Sequence, residues 1–217
     1  MGTKVELEEA DHIHMVRNLK TYVDWQIAQK ITGAISEGNC YGVPEQILRL
    51  GQICILRKPN SILEIGFNAG HSANLFLGSC NGDMVSVDLA EHQYVVKCKI
   101  GIDSIYPGRH TLIVGDSLTA LPLLQKSSSS TFDLIYVDGG HSYEVAKQDL
   151  INSKKLSHTK TLVIMDDTYR KPSGIRDWNE GPNRAWKEAI ESKFVTELET
   201  WDFEQPGRGM SCGFFNF

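Results

Sequence analysis

Between residues 61 and 165 the chain alternates short apolar runs with stretches in which apolar residues recur every three or four positions. The runs at 61–66, 84–88, 111–115, 132–138 and 161–165 predict strands. The intervening stretches at 71–79, 91–104, 117–125 and 142–155 predict helices. Strands that alternate with helices in this way build a parallel sheet covered on both faces, so the expected class is α/β, doubly wound. Upstream, Met15, Leu19, Val23, Ile27 and Ile31 mark one helical face within 11–37. A break follows at "EGNCYGVP", and Pro44 is placed to start a second helix running to Arg57. Beyond residue 167 the segment "TYRKPSGIRDWNEGPN" reads as a polar loop, followed by a helix near 183–193 and strands near 194–202 and 210–216. The expected organisation is a helical extension or cover over 1–58 and one globular unit over 59–217.

Composition narrows the function classes. The formal net charge is −5 and no basic block is present, so a nucleic-acid partner has no electrostatic footprint. The longest apolar runs, such as "TLVIM", are too short to span a bilayer. The acidic start "MGTKVELEEADHIHM" lacks the apolar core of a signal peptide. Five cysteines, an odd number with no C-x-x-C, suit free thiols in a reducing compartment. The expected location is therefore cytoplasmic.

The strand ends carry the chemistry. Ligands of open α/β sheets bind beyond the carboxyl ends of the strands. There the sequence offers Glu64, Asp88, Asp116, Asp138 and the pair Asp166-Asp167. Any one of these could cap the following helix. Gathered at five successive strand ends, they crowd like charges that call for a cation or hydrogen bonds. The first turn, "GFNAG", differs from G-x-G-x-x-G: Asn68 stands where a glycine lets backbone approach a pyrophosphate. Glu64 would repel a phosphate and welcome a cation. Asp88 follows Gly66 by 22 residues, the spacing at which an acid meets ribose hydroxyls. A ligand with a ribose, a positive charge and no phosphate fits, and S-adenosylmethionine (SAM) is one.

At these residues the chain resembles the class I SAM-dependent methyltransferases, which have a Rossmann-like fold. "LEIGFNAGHSA", "VSVDLA" and "VGDS" are similar to their first motifs. "FDLIYVDGGHSYEVAKQDL" and "TLVIMDDT" resemble more narrowly the cation-dependent O-methyltransferases, both catechol O-methyltransferase-like and of the D-G-x-H sugar and antibiotic group. The tail resembles that fold's reversed seventh strand. The resemblance implies that Glu64, Gly66, Phe67, Asn68, Gly70 and Ser72 form the amino-acid end of the cofactor site. Asp88 would hold the ribose, Leu89 would lie beside the adenine, and Asp116 with Ser117 would meet its amino group. Asp138, also at the cofactor, would join Asp166 and Asp167 as magnesium ligands, and His141 would be the catalytic base.

The implied reaction is methylation of a hydroxyl on a small molecule such as a catechol, sugar or polyketide. A hard cation on oxygen ligands acidifies a bound hydroxyl, and a histidine near its own pKa accepts the proton. Tyr41 and Glu45 beside the break, and Tyr169, Arg170, Trp178 and Asn179 after the acidic pair, are candidate substrate contacts. His71 reads as a structural residue at a helix start, His12 and His14 as solvated surface, and Trp25, Trp186 and Trp201 as core. The apolar face of the first helix would serve either the core or a homodimer contact. Alternatives are a metal-independent methyltransferase acting on oxygen or nitrogen, and a catalytically inactive SAM-binding protein. A nicotinamide-dependent dehydrogenase is disfavoured by Glu64 and the missing middle glycine.

Overall fold

The computed structural model describes residues 40–127, 130–205 and 207–217. The helical face expected within 11–37, with His12, His14 and Trp25, lies outside them. Seven strands form one sheet: β1 (Ser61–Ile65), β2 (Asp83–Asp88), β3 (His110–Val114), β4 (Phe132–Val137), β5 (Ser157–Asp166), β6 (Val195–Asp202) and β7 (Gly209–Phe215). Their order is β3-β2-β1-β4-β5-β7-β6. The first five are parallel, whereas β7 runs antiparallel to both β5 and β6. Six helices accompany them among the described residues: α1 (Pro44–Arg57), α2 (His71–Ser79), α3 (Tyr94–Ile105), α4 (Ser117–Ser127), α5 (Tyr143–Lys155) and α6 (Asp177–Glu191). This is the doubly wound, Rossmann-like architecture the pattern predicts.

The period of two along each strand sorts side chains between two apolar layers. Ile62, Leu134, Tyr136, Leu162 and Ile164 face α1, α2 and α3, meeting Ile47, Leu50, Cys54, Phe76, Val95 and Ile102. Leu63, Ile65, Ile135, Val137, Val163 and Met165 face α4, α5 and α6, meeting Leu121, Ala146, Leu150, Ala185 and Trp186. Helix α1 thus belongs to the same core as the sheet, so Pro44–Arg57 is an integral layer. Pro44 opens that helix and Lys58, in the left-handed conformation, closes it. The five cysteines are free thiols.

Two elements depart from the pattern. Strand β5 starts at Ser157, earlier than the apolar run, because Ser157 pairs with Phe132 across a register irregularity in β4. Helix α6 starts at Asp177 and runs through Gly181-Pro182, which the sequence reads as a loop. The Asn179 side chain accepts from the Arg176 backbone N–H at 2.8 Å and fixes the first turn. At Gly181 a Cβ would lie 2.2 Å from the His141 carbonyl oxygen, so only glycine lets α6 reach the turn before α5. Tertiary contact overrides the breaker signal.

Strand order reverses between β1 and β4, and a crevice opens beyond their carboxyl ends. The Asp138 N–H donates to the Ile65 carbonyl and the Gly66 N–H to the Val87 carbonyl, both at 2.8 Å. Gly66 has φ +98°, and a Cβ there would fall 1.9 Å from the Asp138 carbonyl oxygen. Gly66→Ala is expected to cost on the order of 3 kcal/mol or more, through strain and displacement of the Asp138 backbone. Gly42→Ala, which meets nothing within 4 Å, should change stability by less than about 0.5 kcal/mol. Urea unfolding of both variants checks the contrast.

Candidate active site

The crevice is a cavity of about 430 Å³, within the range of small-molecule sites. Gly66, Phe67, Asn68 and Ser72 line it from the β1–α2 turn, and Asp88 and Leu89 from the end of β2. Asp116 and Ser117 line it from the β3–α4 turn, Asp138, Gly139, Gly140 and His141 from the end of β4, and Asp167 from β5. Glu64, Gly70 and Asp166 stand behind this lining.

The nucleoside half is built from strained turns. Asn68 (φ +46°), Gly70 (φ +72°) and Ala90 (φ +55°) lie in the left-handed region after β1 and β2, as does Asp167 (φ +57°) after β5 at the opposite end, the kind of backbone that concentrates where ligands are held. Asp88 organises two of them, accepting from the Asn68 N–H and the Ala90 N–H at 2.7 Å each. The Tyr94 hydroxyl donates to Asn68 Oδ1 at 2.6 Å. Asp116 accepts from the Leu118 N–H at 2.9 Å and stays exposed at the mouth.

Glu64 is fully buried. Strand alternation puts it on the same face as Ile62, where its two oxygens accept from Ser72 at 2.5 Å and Ser86 at 2.6 Å. Burial pushes its carboxyl up to about 7, against the pull of the two serines. Ser86 also bonds His110 Nε2 at 2.8 Å, and the His110 ring stacks on Phe67. Glu64 therefore meets the cavity through Ser72 rather than directly. His71, at the start of α2, is buried, and burial lowers its pKa to about 4.

At the opposite end the acids converge. Ligand atoms of Asp138, His141 and Asp167 all lie within 4.8 Å of one another. His141 Nε2 is 3.0 Å from Asp167 Oδ2, and that contact raises the histidine pKa against the opposing effect of burial. Asp138 is held well above the usual carboxylate range by burial and by the charges of Asp166 and Asp167. The expected ligand set Asp138, Asp166 and Asp167 is not the one this geometry groups. Asp166 turns inward and accepts from Gln46 Nε2 at 2.8 and 2.9 Å and from the Tyr136 hydroxyl at 2.8 Å. Burial pushes its pKa up to about 6.

Residues 63–168 match the family model described as a methyltransferase domain. The chain carries a methyltransferase domain. Among solved structures, the O-methyltransferase TomG from Streptomyces achromogenes, involved in tomaymycin synthesis and solved with SAM, superposes with a TM-score of 0.68 at 17% identity, covering 99% of this chain and 93% of that one. The Bacillus cereus O-methyltransferase, solved with S-adenosylhomocysteine (SAH), gives 0.69 at 15% identity over 99% and 94%. The Podospora anserina methyltransferase PaMTH1, bound to SAH, gives 0.66 at 16% identity over the whole of both chains. No curated protein matches in sequence. The fold of the methyltransferase domain is thus that of the SAM-dependent O-methyltransferases.

The domain brings in residues that the motifs do not reveal. Cys40, Glu91, His92 and Leu118 line the cavity, and so does Arg208 from the β6–β7 turn. Arg208 Nη1 lies 3.4 Å from Asp167 Oδ1. Trp178 sits close by, its ring 5.7 Å from the Arg208 guanidinium and 6.4 Å from the His141 ring. Asn179, Tyr169 and Arg170, also expected to contact the substrate, lie elsewhere. Asn179 is fully buried and donates to the Gly174 and Gly207 carbonyls. Tyr169 is buried with its ring against Gly174, and Arg170 points outward to Glu197. Glu45 lies in the first turn of α1 and is not among the residues lining the cavity, and Tyr41 belongs to the 3-10 turn Cys40–Gly42. Trp186 is core and donates to Glu197, while Trp201 is partly buried. No helix among the described residues is long and apolar enough to cross a membrane.

Glu64 gives the site a pH signature. Its folded pKa of about 7 exceeds that of an exposed glutamate, so the folded state holds a proton that the unfolded chain releases between about pH 4.5 and 7. Stability from this group is present below that window and lost as pH rises through it, by about 3 kcal/mol. Urea unfolding at pH 5 and pH 8 should show Glu64→Gln gaining about that much relative to the parent protein. A constant difference between the two would contradict the assignment.

Proposed function

We propose that the protein is a SAM-dependent O-methyltransferase that methylates a hydroxyl of a small molecule with the help of a divalent cation. One observation carries the reading: a single cavity joins the turns suited to a nucleoside to the Asp138–His141–Asp167 cluster. Asp88 would hold the ribose, Asp116 and Ser117 the adenine, and Ser72, backed by Glu64, the amino-acid end. The cofactor supplies a methyl group already activated on a sulfonium, which leaves alignment as the main task. The donor set fits a small divalent cation: Asp138 and Asp167 would hold it through carboxylate oxygens, which suit magnesium or manganese, and His141, within 4.8 Å of both, would stand beside it as the base. Such an ion acidifies and orients a coordinated hydroxyl.

The chain's own groups do the rest. His141 is half exposed toward the cavity and takes the acceptor's proton, and Asp167 then stabilises the imidazolium. Asn183 holds Asp167 in its strained conformation, donating to its carbonyl while accepting from the Tyr169 N–H at 2.6 Å. Trp178 and Arg208 flank the side of the cavity where the acceptor would enter. A small hydroxylated acceptor, such as a catechol or vicinal diol, suits a cavity of this size once the cofactor is in place. A cytoplasmic location accords with the free thiols.

A second reading rests on Arg208. A guanidinium already placed against Asp167 could supply the positive charge without a metal, giving a cation-independent methyltransferase. Transfer of labelled methyl from SAM to catechols and sugar diols, in magnesium and in EDTA, separates the two. We expect transfer that EDTA abolishes, and a fall of about 10²–10⁴-fold in kcat for His141→Ala with SAH binding intact. Undiminished transfer in EDTA would favour the second reading. Absence of transfer to every hydroxyl offered, with cofactor bound, would count against both.

A further inference from the structure

Arg208 reaches the acidic cluster from far along the chain. Its backbone is fixed by the β6–β7 turn, where the Arg208 N–H donates to the Gln205 carbonyl at 3.0 Å and its carbonyl accepts from the Phe203 N–H at 2.9 Å. Gly207 beside it (φ +85°) is pressed against the Gly174 carbonyl and the Trp178 ring, with no room for a Cβ. The side chain is about one-fifth exposed, so the guanidinium is built into the cavity wall rather than trailing from the surface.

Its contacts are loose. Nη1 to Asp167 Oδ1 is 3.4 Å and Nη2 to Gln46 Oε1 is 3.5 Å. A tight guanidinium–carboxylate pair closes to about 2.7–2.9 Å and is often bidentate. Tyr136 and Gln46 already satisfy Asp166 and His141 lies 3.0 Å from Asp167, but Asp138 has no comparable cover. The Arg208 charge is the attraction that opposes crowding at both Asp138 and Asp166. A guanidinium that lies near the cluster without locking onto it can neutralise the acids and still be displaced. A divalent ion on the same Asp167 would bring two charges closer than Arg208 does, and would repel the guanidinium at short range.

We propose that Arg208 is the resident counter-cation of the cluster: it holds the metal-free site together, gives up Asp167 when a divalent cation binds, and so sets the metal affinity. This rests on the reading of Asp138 and Asp167 as metal ligands. It deepens that reading by naming a residue of this chain that competes with the ion.

The test is calorimetric titration of the full chain with Mn2+, comparing the parent protein with Arg208→Gln, Arg208→Lys and Asp138→Asn. Arg208→Gln should bind Mn2+ about tenfold more tightly or better, Arg208→Lys should stay within about threefold of the parent, and Asp138→Asn should lose binding. Measurable binding by the parent with equal or weaker affinity in Arg208→Gln overturns the role of Arg208 and leaves the metal reading standing. No heat from the parent or from Arg208→Gln overturns the metal reading and this inference together. Should Arg208→Gln fail to fold, the Arg208 Nε–H resonance of the parent decides. It should shift on saturation with Mg2+, and an unmoved resonance at saturation overturns the proposal.

Discussion

Asp138, Asp166 and Asp167 meet at the carboxyl ends of two neighbouring parallel strands, and their mutual repulsion in a largely buried site constrains everything around them. Unpaired, such a cluster would protonate or force the strands apart. The fold offsets it piecewise. Gln46, delivered by α1, and Tyr136, on the same sheet face, close over Asp166. His141 and Arg208 approach Asp167 from opposite ends of the chain. Asp138 is left with the weakest cover, and with Asp167 it lines the cavity. The position of α1 in the core, the close approach of α6 at Gly181 and the hairpin of β6 and β7 all serve this one arrangement.

The same constraint divides the cavity chemically. On the β1–β2–β3 side, backbone amides and serines hold the carboxylates: Asp88 accepts from two N–H groups and Glu64 from two hydroxyls. These acids shape turns and present polar surface without carrying free charge toward one another. On the β4–β5 side the compensation comes from titratable or mobile cations, a histidine and an arginine. Proton transfer and cation exchange belong on that side, and the nucleoside belongs on the other.

Much of this was legible in the residues. The glycine turn after β1 and the acids ending β2, β3, β4 and β5 lie at strand ends, because apolar runs and breakers mark those ends directly. The reversed last strand followed from the family resemblance. What escaped is long-range. Gln46 meets Asp166 across 120 positions and Arg208 meets Asp167 across 41, and no local period encodes either contact. Glu64 was read as facing the ligand, but the alternation of β1 sends it to the buried face with Ile62. Gly181-Pro182 read as a loop because a breaker pair carries no trace of the α5 turn it must pack against. Asn179, assigned to that loop, became part of the helix cap as a consequence.

The central claim is that the cavity accepts a phosphate-free nucleoside with an amino-acid end beside an acidic cluster. Calorimetric titration with SAH, and separately with NAD, tests it most directly, because the two share adenosine and differ in the charge they bring to the Glu64–Ser72 end. The account predicts micromolar binding of SAH and none of NAD. Binding of NAD in preference to SAH, or of neither, would contradict it.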